Sequence, residues 1–408
     1  MNETSSLGLT EDKLVYYSSL FLTILSSIAL VVNAYLLNCS RFLRRPIGVN
    51  LRLCVTLTAA DALCALFYIL TYTVNVLTQP NNVSNCWLLL IEVFKLATFF
   101  ASVFTLLALA LNHYVGIVYP LRRHAITPKT VKMAIALSFL LPLISFVTVF
   151  SVHPGGFRAD VAFGFFNEKG CQVLTALQDP LIRWIQVVPF IFVVLLLSFL
   201  YIHIMLHMSK IAKDPLLTIN NNHRFRRSTN RKLLVTLMLL AGSACIGWLP
   251  TTITHVLTCH TCLFALPRNY ASYLAIFSQA LNILKLIADA FIYASRLIEI
   301  RYSIWAFNQA LRGKFPMPGV PAVRSSEHNV PSEFSRYVTD TKENKKERQQ
   351  LAALDGPIRN CTVKTRTTSM FMAPSARPFI QSNSTRSMKI LRPPPYHQHH
   401  HQSGAQTK

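Results

Sequence analysis

The chain has 408 residues, of which 52% are hydrophobic and only 14% charged, with a formal net charge of +23. Soluble domains carry about 25% charged residues, so the deficit argues for a lipid environment. The basic residues avoid the long apolar runs and sit between and after them, which sets membrane orientation and excludes a continuous phosphate-binding face; no nucleic-acid partner is expected.

Residues 1–13 are polar and carry the sequon Asn2-Glu3-Thr4. They lack a basic leader before an apolar core, so the first apolar segment is expected to act as an uncleaved anchor. Seven apolar segments follow, at 14–38, 53–77, 87–112, 131–151, 184–208, 233–258 and 271–295. Each meets the requirement of roughly 20 residues for a membrane helix. Lys and Arg cluster after the first segment (Arg41, Arg44, Arg45, Arg52), the third (Arg122, Arg123, Lys129, Lys132) and the fifth (Lys210 to Lys232). The stretches 78–85, 152–183 and 259–270 are nearly free of them. By the positive-inside rule the amino terminus is extracellular, the carboxyl tail is cytoplasmic, and the chain is a multi-pass membrane protein.

That topology places Asn82-Val83-Ser84, a second sequon, on the outer side. Cys86 and Cys171 share that side, so a disulfide can tie the third segment to the 152–183 loop. Cys259 and Cys262, with two residues between them in another outer loop, form a small disulfide, two free thiols or a weak metal site. Beyond the seventh segment, Leu297, Ile300, Ile304, Phe307 and Leu311 recur at helical spacing beside Arg296, Arg301 and Arg312. This reads as an amphipathic helix, 296–312, lying on the lipid of the inner leaflet. Residues 313–408 are rich in Ser, Thr, Pro, Lys and Arg and are expected to be disordered.

Several motifs fall in order on these segments. Asn33 lies in Val-Val-Asn-Ala-Tyr, Asp61 in Leu-Thr-Ala-Ala-Asp-Ala-Leu, and Ser102 precedes Asn112-His113-Tyr114 and then Pro120-Leu121. Gly247-Trp248-Leu249-Pro250 and Asp289-Ala290-Phe291-Ile292-Tyr293 complete the set. Together they resemble the rhodopsin-like, or class A, G-protein-coupled receptors, whose corresponding motifs are Gly-Asn-x-x-Val, Leu-Ala-x-x-Asp, Asp-Arg-Tyr, Cys-Trp-x-Pro and Asn-Pro-x-x-Tyr. The resemblance covers 14–312. It implies an all-α membrane protein: a bundle of seven transmembrane helices, a short amphipathic cytoplasmic helix and a disordered tail. It also implies heterotrimeric G protein and arrestin as intracellular partners. The departures are specific: His113 replaces the arginine and Asn112 the acid of the triplet, and the proline after Asp289 is lost.

Ionisable side chains are costly inside a bilayer unless paired. Those within the segments are Asp61, Glu92, Lys95, Lys285 and Asp289. Lys285 and Asp289 are four apart on one helix and therefore on one face. In the resembled family the positions of Asp61, Ser102, Lys285 and Asp289 surround a bound sodium ion, so Lys285 either takes the ion's place, bridging Asp61 and Asp289, or pairs with Asp289 alone. With Asn33 and Tyr293 these residues form a candidate polar switch. Lys95 stands where amine receptors of the family carry an aspartate, which disfavours an aminergic ligand and suits an acidic one. The alternatives for Lys95 are snorkelling outward or pairing with Glu92. Glu92, Lys95 and Trp248 are the candidate ligand-binding residues. Ile283 occupies the position of the retinal-binding lysine, which argues against an opsin.

Histidine is shorter than arginine and near neutral at cytosolic pH, so His113 cannot reproduce its reach or permanent charge. Asn112, His113, Tyr114, Pro120 and Leu121 are the candidate G-protein interface. In the tail, Pro393, Pro394 and Tyr396 match the Pro-Pro-x-Tyr ligand of WW domains. No catalytic constellation and no cofactor site stand out. The sequence therefore points to a receptor for an extracellular peptide or small acidic ligand. The rival classes are a secondary transporter using Asp61, Lys285 and Asp289, which lacks the expected internal repeat, and a non-signalling receptor-like scaffold.

Overall fold

The computed structural model describes residues 3–45, 47–77, 84–120, 126–153, 164–165, 170–213, 221–257, 268–313, 330–335 and 337–339. In chain order its helices are α1 (Glu3–Ser40), α2 (Val49–Leu77), α3 (Asn85–Val118), α4 (Pro128–Val152), α5 (Val173–Gln178), α6 (Pro180–Lys213), α7 (Asn221–Leu257), α8 (Arg268–Arg296) and α9 (Ile298–Leu311). Six of these, α1 to α4, α6 and α8, contain stretches long and apolar enough to cross a membrane. α7 is the seventh long helix. It carries Thr251, Thr252, Thr254 and His255 at one end and a run of basic residues at the other, and is less apolar for that reason.

Two helix starts show how local sequence sets the frame. Thr127 caps α4, its hydroxyl accepting from Thr130 N at 3.2 Å, and Pro128 follows at the first helical position, where its missing N–H costs nothing. Asp179 does the same for α6: its Oδ1 accepts from Leu181 N at 2.9 Å and Ile182 N at 3.2 Å, with Pro180 between. Pro142, Pro189 and Pro250 lie inside α4, α6 and α7. Each removes one backbone hydrogen bond, a loss that bundle packing must offset.

The helices form a ring. α1 packs on α2, α2 on α3, α3 on α4 and α6, α6 on α7, α7 on α8, and α8 returns to α1. α3 lines the main core, contributing Leu89, Val93, Phe100, Val103, Leu106 and Leu109, all buried. The outward face is apolar too: Ile144 on α4 and Phe192, Leu195 and Phe199 on α6 are exposed. A bundle apolar inside and outside is what a hydrocarbon surround requires.

Element ends differ from the sequence-based segments. α1 starts at Glu3 instead of 14, and the basic stretch 209–232 is helical at both ends, with α6 running to Lys213 and α7 starting at Asn221. Hydropathy marks where lipid ends, not where the backbone stops winding, and Lys and Arg are good helix formers.

α9 buries Ile300 against Leu36, Leu43, Leu51 and Ala290, while Leu311 at its end is 64% exposed. Part of the tail is ordered against it. Phe334 is buried with Tyr302 and Ala306, flanked by Phe42, Trp305, Val330, Tyr337 and Val338. Arg44 anchors the same cluster, donating from Nε to Tyr302 Oη at 3.2 Å. These described residues, 330–335 and 337–339, lie within the stretch 313–408 for which the composition predicts disorder. Their apolar side chains supply the buried surface that a Ser- and Lys-rich composition otherwise lacks.

Candidate functional site

The polar interior is built from four helices. Lys285 on α8 extends its ammonium to Asp289 Oδ2 at 2.9 Å, to Asp61 Oδ1 on α2 at 3.2 Å and to Ser102 Oγ on α3 at 3.1 Å. Three N–H donors meet three acceptors, which is the full capacity of an ammonium. The Ser102 hydroxyl in turn donates a hydrogen bond to Asp61 Oδ1 at 2.7 Å, and Ser243 on α7 donates to Asp289 Oδ1 at 2.7 Å. Asn33 on α1 donates to Ala29 O at 2.9 Å and Leu286 O at 3.0 Å, tying α1 to α8 beside the cluster. The side chains of Lys285, Asp61 and Asp289 are at most 2% exposed, so their charges are tenable only as a mutually paired set. Tyr293 lies one turn beyond Asp289, buried, its hydroxyl without a hydrogen-bond partner among the described residues.

Trp248 covers this cluster. Its ring centre is 4.2 Å from Lys285 Nζ, an arrangement that presents the ammonium to an aromatic face. The approach of α7 to α8 depends on Gly247: a Cβ at that position would lie 2.5 Å from Lys285 Cβ. On its other side Trp248 packs edge-on against Phe99 and Phe190, with ring centres 5.3 and 5.8 Å away.

Above those phenylalanines is a cavity of about 340 Å³, lined by Phe99, Phe100 and Phe190 below and by polar side chains including Glu92, Lys95, Arg183, His255, Gln279 and Asn282. Its volume lies in the range of small-ligand sites, ~300–1,000 Å³. Lys95 Nζ lies 2.6 Å from Glu92 Oε1 and Oε2, so its charge is neutralised within one helical turn. Thr71 also donates to Glu92, at 3.3 Å. Glu92 and Lys95 line the cavity, whereas Trp248, 1% exposed, lies in the layer beneath it.

The mouth of the cavity is held by two features. Cys86 and Cys171 form a disulfide, their Cα atoms 5.0 Å apart, joining the start of α3 to the segment preceding α5. Arg183 donates from Nε to Leu177 O at 3.0 Å and from Nη1 to His255 O at 3.1 Å, joining α5, α6 and α7. Arg183 escaped the sequence-based site because the fifth segment was begun at 184, and a charged residue at an apolar boundary reads as loop. The capping pattern Asp179-Pro180 is the signal that places it on the first turn of a helix.

At the opposite end, His113 is 4% exposed and donates from Nδ1 to Leu109 O at 2.7 Å, one turn back on its own helix. It is folded inward instead of projecting from the bundle. Asn112 hydrogen-bonds to Asn50 of α2. Tyr114 meets Tyr119 edge-on and His203 at a tilt, with ring centres 5.8 and 5.5 Å away, and Pro120 is exposed. Leu121, the sequons at Asn2 and Asn82, Cys259, Cys262 and the Pro393, Pro394, Tyr396 motif lie outside the described residues.

A helical ring closed by α8 on α1 thus carries a disulfide at one end, a ligand-sized cavity within it and a paired polar core beneath. Residues 16–293 match the family described as 7 transmembrane receptor (rhodopsin family), and the chain belongs to that family. Comparison with curated proteins finds no match.

Proposed function

We propose that this protein is a G-protein-coupled receptor of the plasma membrane that binds an extracellular peptide or small acidic ligand and signals through heterotrimeric G proteins. The amino terminus and the Cys86–Cys171 disulfide face outward, and α9 and the tail face the cytosol, as the distribution of Lys and Arg requires. The observation that carries this reading is a continuous contact path. Phe99 and Phe190 line the cavity and touch Trp248; Trp248 sits on Lys285; and Lys285 holds α2, α3 and α8 through Asp61, Ser102 and Asp289.

A ligand pressing on the phenylalanine layer shifts Trp248 and weakens its hold over the ammonium. Conformers in which α7 pivots about Pro250 then gain population and open the end where His113, Asn112, Tyr114 and Pro120 lie, the G-protein interface to which the sequence also assigns Leu121. The ligand achieves this only through its differential affinity for the two states. The Glu92–Lys95 pair leaves neither side chain free to hold an amine or an acid by itself, so ligand charge must be met elsewhere in the cavity. Arrestin and a WW-domain protein are proposed as further partners of the cytosolic side and the tail.

Ligand-independent G-protein activation in cells tests the reading, comparing the native chain with His113→Arg and Lys285→Asn at matched surface expression. Basal signal, or signal gained in either variant, supports a receptor. Silence in all three, together with solute flux dependent on Asp61, counts against it.

A further inference from the structure

We propose that Arg183 is the anchor for a ligand carboxylate, and that Gln279 and Asn282 accept N–H donors from the same ligand. On this assignment the cavity takes a free carboxylate with an amide N–H beside it, the chemistry shared by a peptide's carboxy-terminal residue and an N-acyl amino acid. The assignment rests on the proposed acidic ligand and names where its charge goes.

Three observations carry it. Of the cations lining the cavity, Lys95 is already paired with Glu92, while Arg183 makes no ion pair among the described residues. The neighbouring carboxylate of Asp179 caps α6 and faces His153 at 3.4 Å instead. One positive charge is therefore left over in the lining.

Arg183 is also pre-oriented. Two of a guanidinium's five N–H groups go to Leu177 O and His255 O, leaving three for a ligand. A carboxylate needs two of them for a bidentate pair. Because the guanidinium is already fixed by two backbone carbonyls, little of its freedom remains to be lost on binding.

On α8, Asn282 donates to Tyr68 Oη at 2.8 Å, yet its Oδ1 has no partner among the described residues, and neither has Gln279 Oε1. Both side chains line the cavity. Two buried carbonyl acceptors call for donors, which an acid alone cannot supply and an amide N–H can. Phe99, Phe100 and Phe190 provide an aromatic floor for the side chain of such a residue.

The test uses the purified full-length chain in lipid nanodiscs and reads Tm with four probes at millimolar concentration. These are N-acetyl-phenylalanine, its primary amide, 3-phenylpropanoate, and acetyl-Ala-Ala-Ala-Phe with a free carboxylate. Each variant is compared with its own ligand-free Tm, so that any loss of stability from breaking the Leu177 and His255 contacts cancels. N-acetyl-phenylalanine is expected to raise Tm, the amide not to, and 3-phenylpropanoate to act more weakly because it lacks the N–H. Arg183→Gln should weaken the acid roughly tenfold or more, the factor for one charge-assisted hydrogen bond. Arg183→Lys should restore part of the shift. The tetrapeptide matching or exceeding N-acetyl-phenylalanine identifies a peptide end; the reverse identifies an N-acyl amino acid. Equal shifts from acid and amide overturn the proposal. So does an acid effect that survives Arg183→Gln undiminished, which would leave the acidic-ligand reading standing with a different anchor. No shift from any acid overturns both.

Discussion

The Lys285 ammonium lies 4.2 Å from the centre of the Trp248 ring and reaches Asp61, Ser102 and Asp289 from beneath it. One side chain thus connects the layer under the cavity to three helices.

Removing that ammonium leaves two carboxylates buried without a counter-charge. Breaking a buried pair in this way costs about 3–5 kcal/mol. Lys285→Met is therefore expected to lower Tm substantially, and sodium chloride should recover part of the loss because a diffusible cation can enter the site. Adding Asp289→Asn to Lys285→Met should restore stability relative to the single variant. A Lys285→Met protein as stable as the native chain, with no response to sodium, would show that the pairing has no energetic role.

Gly247→Ala places a methyl group 2.5 Å from Lys285 Cβ and 3.3 Å from Leu281 O. Neither contact is the free end of a flexible chain, so α7 must move away from α8. Overpacking of this kind costs about 1–3 kcal/mol. Thermal unfolding of the purified variant should show it, and an unchanged or raised Tm would mean that the two helices are not held at this distance.

His113 is folded back onto Leu109 O. Arginine at this position is longer and permanently charged, and Asn112 offers no acid to hold it inside. His113→Arg should therefore extend toward the end of the bundle and raise basal G-protein activation several-fold, whereas His113→Ala should not. Equal basal signal from both variants at equal surface expression would contradict this.

The ordered part of the tail depends on Phe334, which is 3% exposed. Phe334→Ala should release residues 330–339, seen as loss of hydrogen-exchange protection there, with little change in the Tm of the bundle. The nearby Arg301–Glu333 pair, 2.8 Å but about half exposed on both sides, is expected to contribute little. Burial pushes the Tyr337 hydroxyl up to about 12 from its ordinary value of 10.0, which sets a pH window. The neutral form is favoured in the docked state, so docking is fully supported below pH ~10 and is lost as pH rises toward ~12. Protection of 330–339 should decline across that interval in the native chain, and in Tyr337→Phe the decline should disappear.

Much of the bundle was legible because lipid imposes a simple rule: about 20 apolar residues per crossing, with basic residues grouped on one side. The Lys285–Asp289 pairing followed from helical periodicity, whereas Asp61 as a second partner came from the family resemblance and stood beside the alternative of Lys285 pairing with Asp289 alone. Other parts depend on which faces meet. That Trp248 lies between the cavity and the ammonium is decided by Gly247, whose lack of a Cβ sets how closely α7 approaches α8. Ser243, which donates to Asp289, is indistinguishable by sequence from serines that only satisfy their own helix, such as Ser26 and Ser138. The ordered tail segment did carry a signal, with Val330, Phe334, Tyr337 and Val338 at helical spacing, but it was diluted by the polar composition around it.

The cation in the polar core belongs to the chain itself. A diffusible ion occupies its site according to the salinity of the fluid outside the cell, so the resting state it supports drifts with that fluid. A side-chain ammonium is present once per molecule, at an effective concentration fixed by its tether. In the receptor proposed above, Lys285 would buffer the balance between resting and opened forms against changes in extracellular sodium, and the protein would report its ligand without also reporting ionic conditions.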